Sequence, residues 1–69
     1  MRICAPFAGI VHYLVAPGTP VETGDVVAMV ESVKLEAALP APGPGTVTRH
    51  LATDFDDVQG GDPLLEIEA

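Results

Sequence analysis

Lys34 is the only lysine in the chain. Its amine is therefore the one primary amine on a side chain that an acylating enzyme would find. It stands in Glu31-Ser32-Val33-Lys34-Leu35-Glu36, with apolar neighbours and acidic residues just beyond them. A lysine amine attacks a carbonyl only when neutral, and at neutral pH it is ordinarily protonated. Flanking carboxylates favour the ammonium form further. Lys34 thus reads as the target of a ligase that supplies the deprotonation, not as a self-activated nucleophile. Acylation would remove its charge and take the net charge from −7 to about −8. The hexapeptide alone also fits an exposed lysine that protects a strand edge.

No other residues assemble into a reactive set. His12 and His50 are isolated, and neither stands in a metal-ligand spacing with Cys4. Both fit histidines on a strand surface. Cys4 is the single cysteine, so an internal disulfide is excluded. Gly43 to Gly45 lacks the lysine and the helix of a phosphate loop. Asp54, Asp56 and Asp57 read as a solvated acidic loop. No catalytic residue and no metal ligand is expected. A net charge of −7 opposes nucleic acid and anionic membranes; it reads first as a means of solubility, with docking on basic protein surfaces as the functional alternative. A lone thiol, no visible signal peptide and apolar runs too short for a bilayer make a cytoplasmic location the expectation.

The elements that must position Lys34 are strands. Seven Gly and seven Pro spread over 69 residues leave few windows for a helix. The apolar segments are short, rich in β-branched residues and bounded by turn residues. Strands are expected at Arg2 to Ala5, Ile10 to Val15, Val26 to Glu31, Val33 to Leu39, Thr46 to Leu51 and Leu64 to Glu68. Val21 and Val58 mark two more. If Val33 and Leu35 face inward or cap the tip, Lys34 points out. One domain, 1–69, is the expected organisation, with a core of aliphatic side chains.

The chain also repeats itself. Ala5-Pro6 to Val11 matches Ala41-Pro42 to Val47 at an offset of 36, and Val21 to Asp25 matches Val58 to Asp62 at an offset of 37. One inserted residue in the second copy reconciles the two. Two half-sheets related by a pseudo-two-fold are expected, each burying the other's apolar face. Gly24-Asp25 and Gly61-Asp62 suit tight turns that need φ > 0, with Val21 and Val58 plugging the core beneath them.

These motifs, Ala5-Pro6 … Gly9-Ile10-Val11, Val21 … Gly24-Asp25-Val26-Val27, Glu31 to Glu36, Ala41-Pro42 … Gly45-Thr46-Val47 and Val58 … Gly61-Asp62-Pro63-Leu64, resemble the biotinyl/lipoyl carrier domain family over essentially the whole chain. The resemblance implies an all-β fold, a flattened barrel-sandwich of two four-stranded sheets with pseudo-two-fold symmetry. It puts the modified lysine on an exposed hairpin opposite the chain ends. Biotin acceptors of the family usually present Glu-Ala-Met-Lys-Met-Glu, and lipoyl acceptors of dehydrogenase complexes Asp-Lys-Ala. Here Ser32 replaces the alanine, Val33 and Leu35 replace the methionines, Glu36 is kept, and no Asp precedes the lysine. Glu31-Ser32-Val33-Lys34 is also similar to the lipoyl site of the much longer glycine-cleavage H protein. The resemblance implies biotin on Lys34, with lipoate as the alternative. Glu31, Ser32, Val33, Leu35 and Glu36 would be read by a biotin protein ligase. A non-catalytic carrier of carboxybiotin would then serve a biotin carboxylase and a carboxyltransferase of an acyl-CoA carboxylase type complex. A pure binding module with an acidic face is the other class.

Overall fold

The computed structural model describes residues 1–69. Eight strands form in chain order: β1 Arg2–Cys4, β2 Gly9–Tyr13, β3 Pro20–Val21, β4 Val26–Glu31, β5 Glu36–Pro40, β6 Gly45–His50, β7 Asp57–Val58 and β8 Pro63–Glu68. They make two antiparallel sheets, ordered β1-β8-β6-β3 and β5-β4-β2-β7. Rotating β1, β8, β6 and β3 onto β5, β4, β2 and β7 exchanges the two sheets, so the pseudo-two-fold is present. The copies do not form one sheet each, however. Each sheet takes two strands from each copy, and neither copy can close a sheet alone.

The interior follows the repeat residue by residue. The twelve buried residues fall into the pairs Ala5/Ala41, Val11/Val47, Val21/Val58, Val27/Leu64, Ala28/Leu65 and Val30/Ile67. Each pair keeps the offset of 36 or 37, and no polar residue is buried. Burying a Val, Leu or Ile side chain is worth about 1.5–3 kcal/mol, so these pairs are the main favourable term for a chain with a single cysteine and no cluster that could hold a metal ion. The inserted residue is Thr48. β6 bulges between Val47 and Arg49, so Val47 still faces Ile67 while Arg49 faces Glu66.

The two Gly-Asp turns match in detail. Gly24 and Gly61 both have φ of 91°. The Asp25 carboxylate accepts from the Glu22 N–H and that of Asp62 from the Gln59 N–H, each at 2.8 Å. Each turn is clamped by the alanine of the other copy: Gly24 N–H donates to the Ala41 carbonyl, and Gly61 N–H to that of Ala5. Val21 and Val58 are buried beneath them, as expected.

One strand start differs by more than a residue from the sequence expectation. The fourth long strand begins at Glu36, not Val33, because Ser32 to Leu35 form a closed loop. β5 then leads away from that loop to Ala41 and Gly43, and Met1 lies beside Gly43. The chain ends therefore sit at the opposite end of the sandwich from Lys34. No helix is long and apolar enough to cross a membrane.

Candidate functional site

The hairpin between β4 and β5 is pinned at its base by the cross-strand pair Glu31 and Glu36. Beyond it, Ser32 closes the loop on both sides. Its N–H donates to the Leu35 carbonyl at 2.7 Å, and its hydroxyl oxygen accepts from the Leu35 N–H at 3.1 Å. No residue of this loop has a positive φ. It therefore turns without glycine, and every tip position carries a side chain an enzyme can read. Val33 is fully exposed and Leu35 is 57% exposed. Neither faces inward, so Lys34 projects from a tip that is solvated all round.

The electrostatics leave the Lys34 amine free. No carboxylate lies within ion-pair distance of it: the two ion pairs of the arginines both go to Glu66, and Glu31 is hydrogen-bonded to His12. Glu31 is turned toward β2, where His12 Nε2 meets its Oε1 at 2.7 Å. An exposed, unpaired amine at the end of a flexible stem fits a group held by an amide bond. Its acylation breaks no contact and buries no charge.

The remaining sequence candidates lie elsewhere. His50 stacks flat on Tyr13, with centroids 3.8 Å apart, and contacts the Val15 carbonyl through Nε2 at 2.9 Å. Tyr13 donates its O–H to the Leu64 carbonyl at 2.7 Å. Burial raises the Tyr13 phenol above its ordinary pKa, against the opposing hydrogen bond from Ala52 N–H. Cys4 is exposed at the end of β1. Hydrogen bonds from Arg49 and then Arg2 hold the Glu66 carboxyl below the ordinary carboxylate range. Asp54, Asp56 and Asp57 are exposed beside β2, and the Asp54 carboxylate accepts from Tyr13 N–H at 3.0 Å. No cluster of His, Cys, Asp and Glu could hold a metal ion. His12 does lie on a strand surface, as expected, but the sequence did not show that it is the partner of Glu31. His12 pairs with Met29, and Glu31 lies two residues on along the same face, the diagonal neighbour of a strand pair.

Comparison with known proteins agrees with this geometry. A family model described as "Biotin-requiring enzyme" (Biotin_lipoyl) matches residues 1–67. The pyruvate carboxylase of Bacillus subtilis (strain 168) is 36% identical over 68 residues, which cover 97% of this chain and 6% of that enzyme. A single-chain, multi-domain long-chain acyl-CoA carboxylase superposes with a TM-score of 0.85 at 31% identity, over 94% of this chain and 6% of that one. A putative succinylglutamate desuccinylase/aspartoacylase family protein from Shewanella amazonensis SB2B superposes at 0.83 with 26% identity, over 97% of this chain and 20% of that one. The chain thus spans a small part of each of these relatives. Two sheets interleaved from two copies, a lysine hairpin where the copies join and a match over nearly every residue place this chain in the biotin-requiring enzyme family, as a biotinyl/lipoyl carrier domain.

Proposed function

We propose that Lys34 carries biotin in amide linkage and that the chain acts as a biotin carboxyl carrier. It would shuttle between a biotin carboxylase and a carboxyltransferase of an acyl-CoA carboxylase type complex in the cytoplasm, after loading by a biotin protein ligase. The observation that carries this reading is the lone lysine, exposed and unpaired at the tip of the hairpin that joins the two copies. The two carboxylases among the relatives support biotin over lipoate.

Bound biotin would supply a ureido ring that accepts and releases a carboxyl group. The chain's own residues supply location. Lys34 provides the amide nitrogen, and Val33 and Leu35 offer the apolar flanks that a ligase reads. Glu31 and Glu36 mark the two ends of the loop. The sheets below hold the tip at a fixed height while the long lysine stem swings. Tethering of this kind raises the effective concentration of the group at each partner site. No residue here is asked to perform chemistry on the group.

Intact mass after incubation with biotin, ATP and a biotin protein ligase tests the reading. One biotinyl mass is expected on the parent and none on Lys34→Arg, whose guanidinium stays protonated. Loading of the arginine variant would remove Lys34 from the proposal. A lipoyl mass from a lipoate ligase, with no biotinyl mass, would make the chain a lipoyl carrier.

A further inference from the structure

The pseudo-two-fold lays one outer face of the sandwich on the other, so each face is a control for its twin. On the sheet that holds the Lys34 hairpin, one outer row runs Phe55, His12, Met29, Ala38. Met29 pairs with His12 on one side and Ala38 on the other. Phe55, on the segment beside β2, sets its ring edge-on to His12 with centroids 4.7 Å apart. At the twin positions stand Gly18, Arg49, Glu66 and Arg2, with Glu66 paired to both arginines. The fold builds the same row from a glycine and three charged residues, so it does not require Phe55 and Met29 there.

Phe55 sharpens the contrast. Its φ is +65°, in the left-handed region, where a side chain is strained and where the first copy uses Gly18 at +90°. Phe55 is 67% exposed, so burial does not offset that strain. Beside it a shallow groove of about 260 Å³ is lined by His12, Leu14, Met29 and Glu31, and Leu14 is 54% exposed. Backbone strain kept at an exposed aromatic beside an apolar groove marks a surface shaped for contact.

Charge selects the partner. Glu31 and Glu36 border the row toward the hairpin, Asp57 pairs with Ile10 next to them, and Asp54 and Asp56 flank Phe55. The three cationic side chains lie elsewhere, Arg2 and Arg49 on the opposite face and Lys34 at the tip. A second copy seated by the same face would bring the same carboxylates against these and is repelled, and the arginines of its other face are already paired with its own Glu66. The geometry points to a docking surface: Phe55, His12, Leu14 and Met29, ringed by Glu31, Glu36, Asp54, Asp56 and Asp57, receive a protein segment that presents apolar side chains between lysines and arginines. The surface holds whatever Lys34 carries. Because Glu31 belongs to both the groove and the base of the hairpin, a partner seated here lies next to Lys34.

The test is an NMR titration of the ¹⁵N-labelled chain with three synthetic peptides. One alternates Lys and Arg with Leu and Phe, one replaces the basic residues by Glu, and one replaces the apolar residues by Ser. The first peptide is expected to shift the amides of His12, Leu14, Met29 and Phe55, to leave those of Arg2, Arg49 and Glu66 unmoved, and to bind more weakly as salt rises. Phe55→Gly, which installs the twin residue, and Leu14→Ser should each weaken binding about tenfold, the effect of losing an anchor side chain. Phe55→Gly should melt no lower than the parent. No shifts, shifts centred on the arginine face, an equal response to the acidic peptide, or concentration-dependent shifts without peptide would each overturn the proposal. So would a lower melting temperature for Phe55→Gly, which would make Phe55 a structural residue.

Discussion

Across the pseudo-two-fold the buried residues are aliphatic in both copies, identical at Ala5/Ala41, Val11/Val47 and Val21/Val58 and differing only in size at Val27/Leu64, Ala28/Leu65 and Val30/Ile67. The outer rows exchange Phe55, His12, Met29 and Ala38 for Gly18, Arg49, Glu66 and Arg2. The interior accepts only aliphatic side chains, because a polar group buried there without a hydrogen-bond partner is costly. Positions facing water carry no such constraint, and there the copies have parted. Agreement between twins therefore marks what the fold needs, and disagreement marks what it leaves free for contact with other molecules. The Lys34 loop stands outside the comparison, since it joins the copies and its twin position is taken by the chain ends.

The largest effect that would probe this rule falls on the matched turns. An added Cβ meets nothing within 4 Å at Gly24 or at Gly61, so the cost of a side chain there is set by the backbone alone. Gly24→Val and Gly61→Val should each destabilise by more than about 1 kcal/mol, and by the same amount to within about 0.5 kcal/mol. Urea melts of both variants check this. An unchanged midpoint, or a clear difference between the two, would break the equivalence of the turns.

A smaller effect belongs to Tyr13 and its twin His50, which stack on each other. Tyr13→Phe keeps the ring and removes the hydroxyl. The Leu64 carbonyl retains a hydrogen bond from Leu51 N–H, so the loss falls on Ala52 N–H, which donates to the hydroxyl. The cost at neutral pH should be about 1 kcal/mol. Above pH 9 a second signature appears. Folding raises the Tyr13 pKa, so the neutral phenol is the form the fold favours. That contribution is complete below the ordinary tyrosine pKa and is lost as pH rises through the folded value. Denaturant melts across this range should show the parent losing stability with pH more steeply than Tyr13→Phe.

Much of this was legible in the residues. Turn residues delimited the strands, and the offsets of 36 and 37 exposed the two-fold. The lone lysine in its apolar, acid-flanked hexapeptide marked the hairpin. Three features were not legible, for separate reasons. The interleaving of the copies was hidden because both carry the same period-2 pattern, which does not say which strands pair. The site of the insertion was hidden because an offset change is resolved only to the interval between Val47 and Val58, and the bulge at Thr48 needs the ladder itself. Phe55 was not singled out among the aspartates around it, because a positive φ at a non-glycine residue leaves no trace in composition.

The smallest effect on stability should come from the hairpin. Val33 is fully exposed and Leu35 mostly so, hence Val33→Met with Leu35→Met disturbs no packing and should move stability by no more than about 0.5 kcal/mol. A larger change would mean that the tip packs on the sandwich and obeys the rule of the interior. Loading, by contrast, depends on what a ligase pocket meets at those two positions. A biotin protein ligase accustomed to methionine on both sides of the lysine should load the double variant faster than the parent, while a lipoate ligase gains nothing. Initial rates for both ligases on both forms, with folding checked by circular dichroism, separate the cases. Lipoate loading of the parent with biotin loading neither form would move the chain to the lipoyl branch and leave the carrier role intact. If neither cofactor loads either folded form, Lys34 is an exposed lysine on a tight hairpin, and the apolar face around Phe55 is what this domain presents to its partners.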